Sequence, residues 1–598
     1  MDIAKTMIET AKGNAEAELC ILNAKVFNVF TGEFLASDVL TACGRVAAVL
    51  PAGAAREYPA RVRINAEEKL LVPGFIDSHV HIESSHLCPE EFCRVLAARG
   101  VTTVVADPHE ICNVMGPAGL RYMIEATQDV PVTVFFMLPS CVPAGAPETA
   151  AHTLSASDLA PWLDEPGVLG LGEMMNYPGV VFTQESVLAK LNLLREYNDG
   201  KFGPLSGLSL DGHAPFLTGA DLQAYAAAGI GSDHESSTLE EARERLRSGI
   251  ALMIREGSSA KNLIDLVPAI DGHTARQCLL CTDDRHVVDL VYEGSINFAV
   301  RKLVRDGRVP LPDILRMAGY NAARHFNLRH TGAVAPAYFA DFALYGDDRT
   351  WEPEMVWHKG RLVAEKGRTL DTPRTKTGHN EPLRNSVRLS GRLFENGVLK
   401  KECLAVEDKG LPVKVIVVIP EQIATRREDV LMPAENGLLQ ADPDRGIAKL
   451  AVFERHGMSG RVGLGFLKGM GLKKGALAST VAHDSHNLIV MGMNDADMLL
   501  AVESLHRAGG GQAACLDGEV LALLPLPLAG LFSDAPAEQV LAEQVQLNRA
   551  AELLGREKGV EPLMTLSFMS LAVIPSLKLT DLGLVDVDEF GLTDLYCE

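Results

Sequence analysis

Long apolar runs are missing from this sequence: across 598 residues the longest, "VLALLPLPLAGLF", is short and broken by prolines. A bilayer-spanning helix needs about 20 consecutive apolar residues, so no membrane span is expected. The opening "MDIAKTMIETAKGNAEAELC" has no signal-peptide core, and a cytoplasmic protein is expected. Dense lysine or arginine runs are also absent, and the net charge is −22. That sign repels phosphate backbones and anionic membrane surfaces, so neither nucleic acid nor membrane is an expected partner. The 11 cysteines form no disulfide framework in a chain without export features. The pair in "CLLC", Cys278 and Cys281, sits in an apolar run with no second pair to complete a metal site, so a buried structural role is expected. Aromatics are scarce at 6%, against 47% hydrophobic residues, 53 glycines and 31 prolines with no low-complexity tract. This is the profile of a turn-rich α/β globular protein. At about 100 to 200 residues per domain the length suggests three or four units, one of which can be a barrel of about 250 residues.

What is present is a series of strand-like runs ending in polar residues: "LLVPGFIDSHVH", "GVTTVVADPHE", "VPVTVFFMLPS", "GVLGLGEMMN", "GLSLDGHAP", "GIGSDHES", "IALMIREGSS" and "QCLLCTDD". Between them lie segments with helical apolar spacing, such as "HLCPEEFCRVLAARG", "LTGADLQAYAAAG" and "STLEEARERLRSG". Eight βα units in succession predict a parallel (β/α)8 barrel of the TIM type, whose active site lies at the C-terminal strand ends. His79 and His81 stand after the first strand, Glu173 after the fourth, His213 after the fifth, His234 after the sixth and Asp283 after the eighth. Each can ligate a metal. Residues two apart in a strand share a face, so His79 and His81 can chelate one ion from a rigid edge. A lone H-x-H is more often two satisfied or exposed histidines; the agreement of the other strand ends is what favours a metal site here.

These residues resemble the amidohydrolase superfamily, with H-x-H on strand one, histidines on strands five and six, and an aspartate on strand eight. "PGFIDSHVHIESS", "TTVVADPHEICNVMG", "GLGEMMNYPGVV", "DGHAP", "SDHE", "CTDDR" and the distal "STVAHDSHNLIVMGMNDADM" together resemble the bacterial adenine deaminases. The resemblance implies a composite small β domain from residues 1–72 with 333–378, a barrel over 73–332 and an additional C-terminal α+β domain over 385–598, with "TGHNEPLRN" as linker. It implies hydrolytic deamination of adenine to hypoxanthine and ammonia, by a metal-bound hydroxide attacking C6, in a homo-oligomer with a dimer favoured.

The same resemblance implies two divalent ions. His79, His81, Glu173 and Asp283 would hold one, and Glu173, His213 and His234 the other. Many two-metal relatives bridge their ions with a modified lysine; Glu173 can bridge cations about 3.5 to 4 Å apart unmodified. The N/O ligand set suits Mn²⁺, Fe²⁺ or Zn²⁺, and the family leans to manganese or iron. Asp283 is implied as proton shuttle. Strand alternation puts its neighbour Asp284 on the opposite face, as an orienting or loop residue. Glu83, His109, Glu110 and Asp284 are candidates for substrate binding, although those near helix starts suit caps equally well. His483, Asp484 and His486 in "VAHDSHN" form either a structural turn or a lid over the barrel mouth. The glycine-rich "VGLGFLKGMGLKKG" lacks phosphate-loop spacing. Two other functions remain open: a cyclic-amide hydrolase of the dihydroorotase or hydantoinase kind, against which Glu173 in place of the lysine argues, and a non-enzymatic metal-binding protein.

Overall fold

The computed structural model describes residues 2–597 except 146, 204–206, 347–348, 371–377, 421, 557–559 and 590, with the backbone alone for 378–380. The expected end of the small β domain, near 378, falls largely on residues 371–377 and so lies outside the described residues.

Eight strands in sequence order form one parallel sheet. They are β1 (Phe75–Val80), β2 (Val101–Ala106), β3 (Thr133–Leu138), β4 (Val168–Met174), β5 (Ser209–Gly212), β6 (Ser232–Asp233), β7 (Ala251–Arg255) and β8 (Cys278–Cys281). β1, β2, β7 and β8 are buried at every position, as a sheet covered on both faces requires, which is why they read as continuous apolar runs rather than alternating ones. The sheet closes where the chain after β8 meets β1: Asp283 N–H donates to His79 O at 3.0 Å and His81 N–H to Asp283 O at 3.3 Å. The barrel predicted from the eight runs is present. Helices Pro89–Ala97, Gly219–Ala227 and Leu239–Arg247 fall on the three segments with helical spacing, the first with proline in its opening turn, where the missing N–H costs nothing.

The flanks of the barrel share a nine-stranded sheet. Strand Ala17–Asn28 runs parallel to Leu70–Pro73, which pairs antiparallel with Phe342–Tyr345, so chain from before and after the barrel is joined in one layer. The C-terminal region is built on a mixed eight-stranded sheet with helices Asp495–Ala508 and Ala537–Leu554. It docks on the barrel mouth through Ser533 N–H to His86 O at 2.8 Å and Asn487 Nδ2 to Thr149 O at 2.9 Å. One buried apolar cluster runs from Val80 and Ile82 in the barrel to Leu528, Phe532 and Leu563 beyond it. Among the described residues no helix is long and apolar enough to cross a membrane.

Candidate active site

The polar strand ends converge at the barrel axis. His79 and His81, both buried, leave the end of β1 on the same side, with their Nε2 atoms 3.1 Å apart. The Nδ1 of His79 lies 3.0 Å from Asp211 Oδ2, and that of His81 lies 3.0 Å from the backbone oxygen of Asp107. Both oxygens can only accept, so each ring carries a proton on Nδ1 and turns the Nε2 lone pair inward. Glu173 Oε1 and Asp283 Oδ1 lie 3.2 and 3.3 Å from the Nε2 of His81. Acceptor atoms facing one another so closely repel, unless a cation stands among them; the donor set therefore fits a divalent metal.

A second group shares Glu173. Its Oε2 is 2.6 Å from His213 Nδ1 and 3.3 Å from His234 Nε2, so the two oxygens of one carboxylate face two histidine sets. β4 places it through "GLGE". A Cβ at Gly172 would stand 1.9 Å from Asp107 Oδ2, the atom that accepts the Glu173 N–H at 2.9 Å. Glycine is the residue that lets Asp107 approach and fix the strand end. Burial would raise the pKa of Glu173 and Asp283, but the rings around Glu173, His213 first, and the His81, His234 and Arg255 side chains around Asp283 outweigh it and hold both carboxyls well below their usual range. Both carboxyls stay charged at neutral pH.

The alternation argument for Asp284 fails. β8 ends at Cys281, and Asp283 takes a left-handed backbone with φ 55°, so the pair no longer obeys strand geometry. Asp283 and Asp284 both line the cavity at the barrel mouth, and Asp284 accepts a hydrogen bond from Ser84 Oγ. His109 and Glu110 also line it, His109 with its Nδ1 3.4 Å from Glu173 Oε1. Glu83 is not on this wall; it accepts the Ile111 N–H at 3.3 Å beneath it. From the C-terminal region, His483 and Asp484 reach the cavity together with Ile423, Phe568 and Leu571, whereas His486 stays behind it, fully buried.

Three residues at the centre carry no expectation from the sequence. Glu235 Oε1 is 3.5 Å from His213 Nδ1 and 3.6 Å from His234 Nε2. Arg255 clamps Glu235 with two nitrogens and donates from Nη1 to Asp283 Oδ2 at 2.9 Å. Asp107 orders both β1 and β4, as described. All three stand at strand ends, in "SDHE", "IREG" and "ADPHE", so the rule that found the histidines could have found them too.

The amidohydrolase family model matches residues 70–363, and the adenine deaminase C-terminal domain model matches residues 422–591. Adenine deaminase 2 of Carboxydothermus hydrogenoformans is 47% identical, covering 98% of both chains. The adenine deaminases of Desulfatibacillum aliphaticivorans and Dehalococcoides mccartyi are each 43% identical, covering 99% and 98% of this chain and the same shares of their own. A metal-fitting site in a parallel barrel, roofed by a second domain and matched end to end by such relatives, places the chain in the adenine deaminase family of amidohydrolases.

Proposed function

We propose that this chain hydrolyses adenine to hypoxanthine and ammonia, using His79, His81, Glu173 and Asp283 to hold one divalent ion and Glu173, His213 and His234 to hold a second. The observation that carries the two-ion reading is the split of Glu173, one oxygen on each histidine set. Manganese or iron suits the all-N/O donor set, and Glu235 is within reach of the second group. When bound, such ions act as Lewis acids that make water acidic enough to attack an aromatic ring carbon near neutral pH.

The remaining work belongs to the protein's own groups. Asp283 accepts one proton of the attacking water and passes it to the departing C6 amine, which leaves as ammonia, while the second proton of that water ends on N1, so water becomes the oxygen of hypoxanthine. Arg255 holds one oxygen of Asp283, which leaves the other facing the histidines. Asp211 and the Asp107 carbonyl hold His79 and His81 in the ligating tautomer. Ile423, Phe568 and Leu571 add apolar surface to the cavity wall, suited to the faces of a flat ring.

The test is ammonia release from a panel of adenine, pyrimidines and cyclic amides. Protein stripped with a chelator should be inactive on adenine and regain turnover with Mn²⁺ or Fe²⁺, with metal analysis giving the stoichiometry. Full activity in metal-free protein, or ring opening of dihydroorotate without any reaction on adenine, would overturn this reading.

A further inference from the structure

A second polar group lines the same cavity and takes no part in holding metal under the reading above: Glu110, Asp284 and His483 present ligand atoms within 4.8 Å of one another. Glu110 is fully buried. His483 Nδ1 comes within 2.9 Å of its Oε1, whereas Oε2 has no hydrogen bond, with His486 Nε2 3.9 Å away. A buried carboxylate oxygen without a donor is costly, so Oε2 calls for an N–H or O–H group brought by whatever fills the cavity.

A third cation is the weaker occupant. The Nδ1 of His483 faces Glu110 at 2.9 Å and Asp484 at 3.5 Å, so that nitrogen is spent on carboxylates, and Asp284 already accepts from Ser84 Oγ. A planar ligand with an N–H edge satisfies the group better. His483 lies flat on Phe568, with ring centroids 4.7 Å apart and planes 15° apart, which gives the cavity an aromatic wall suited to a flat bicycle.

Resting on the adenine reading, we propose that Glu110, with Asp284 and His483, grips the imidazole edge of the purine, Glu110 accepting the ring N–H that a free base carries and an N9-substituted purine lacks. The reacting C6 and its amino group lie on the other ring, turned toward Asp283. Charge distribution agrees. Burial works to raise the pKa of Glu110, but the charge of His483 outweighs it and brings it down to about 2, so the carboxylate on the cavity wall is charged. A site built to bond a ligand N–H rejects the analogue without it far more strongly than an apolar pocket rejects an extra methyl group.

The experiment compares adenine with 9-methyladenine in the metal-loaded wild type and in Glu110→Gln, with Asp284→Asn as second variant. Wild type should prefer adenine in kcat/KM. Glu110→Gln should lose on the order of 10- to 100-fold in kcat/KM on adenine, leave 9-methyladenine nearly unchanged and keep its metal, so that the preference collapses. An unchanged preference in a folded, metal-loaded variant overturns the subsite. Should both variants lose fold or metal, the wild type decides: unsubstituted purine should inhibit adenine turnover at least about 10-fold more strongly than 9-methylpurine, and equal inhibition overturns the subsite. No ammonia from adenine in the wild type overturns the reaction itself, and the subsite with it.

Discussion

In the reading proposed above Asp283 does two things at once, and its two oxygens divide them. Oδ1 faces His81 Nε2 at 3.3 Å, while Oδ2 accepts from Arg255 Nη1 at 2.9 Å. Asp283→Asn keeps the shape and removes the proton acceptor, so turnover on adenine should fall roughly 10²- to 10⁴-fold, the usual weight of a positioned acid–base group. Metal content must be measured beside the rate, because a lost ion would imitate a lost base. A metal-loaded Asp283→Asn protein with normal turnover would remove Asp283 from the proton path.

Strand ends and helix starts are tied together by single carboxylates. The helix Leu239–Arg247 opens with a capping box in which Thr238 Oγ1 accepts the Glu241 N–H and Glu241 reaches back to the Thr238 N–H. The other oxygen of Glu241 accepts the Phe216 N–H at 3.0 Å, which binds the loop after β5, next to His213, to the helix after β6. Burial would raise the pKa of Glu241, but hydrogen bonds from Ser237 and Thr238 bring it below its ordinary value. Its folded pKa is depressed, so its contribution to stability is complete above the unfolded value and is lost as the pH falls through the folded one. Glu241→Gln should therefore cost about 1 kcal/mol at pH 7 and progressively less in acid. Denaturant titrations of both proteins at neutral and acid pH check this; a cost that grew on acidification would contradict the cap.

At the scale of the whole molecule, the barrel and the C-terminal region share one apolar core, in which Val80 and Ile82 belong to the same cluster as Leu528, Phe532 and Leu563. Each fully buried side chain of this kind contributes about 1.5–3 kcal/mol, and a typical net stability is only about 5–15 kcal/mol. A chain ending near residue 384 should consequently fail to accumulate as a soluble folded monomer or oligomer, although every proposed metal ligand lies within it. Size-exclusion chromatography and thermal unfolding would show this; a soluble, cooperatively unfolding truncated protein would mean that the shared core is dispensable.

The sequence by itself determined the barrel and the positions at its centre. Eight apolar runs with polar ends, spaced by helical segments, are local patterns, and a parallel strand buried on both faces leaves little freedom in what it can read as. His79, His81, Glu173, His213, His234 and Asp283 could be named because each stands at such an end, and the structure brings all six together. Asp284 shows where the local rule stops: alternation holds only while the strand lasts, and the chain leaves β8 at Cys281. Glu235 and Arg255 were visible as letters but not as a pair, because charge pairing across β6 and β7 is a matter of register rather than of spacing. That His483 approaches Glu110, 373 positions away by their numbers, is decided by the docking of one domain on another. No periodicity in a chain encodes a distance of that kind, since the contact is made between regions far apart in sequence that only tertiary packing brings together.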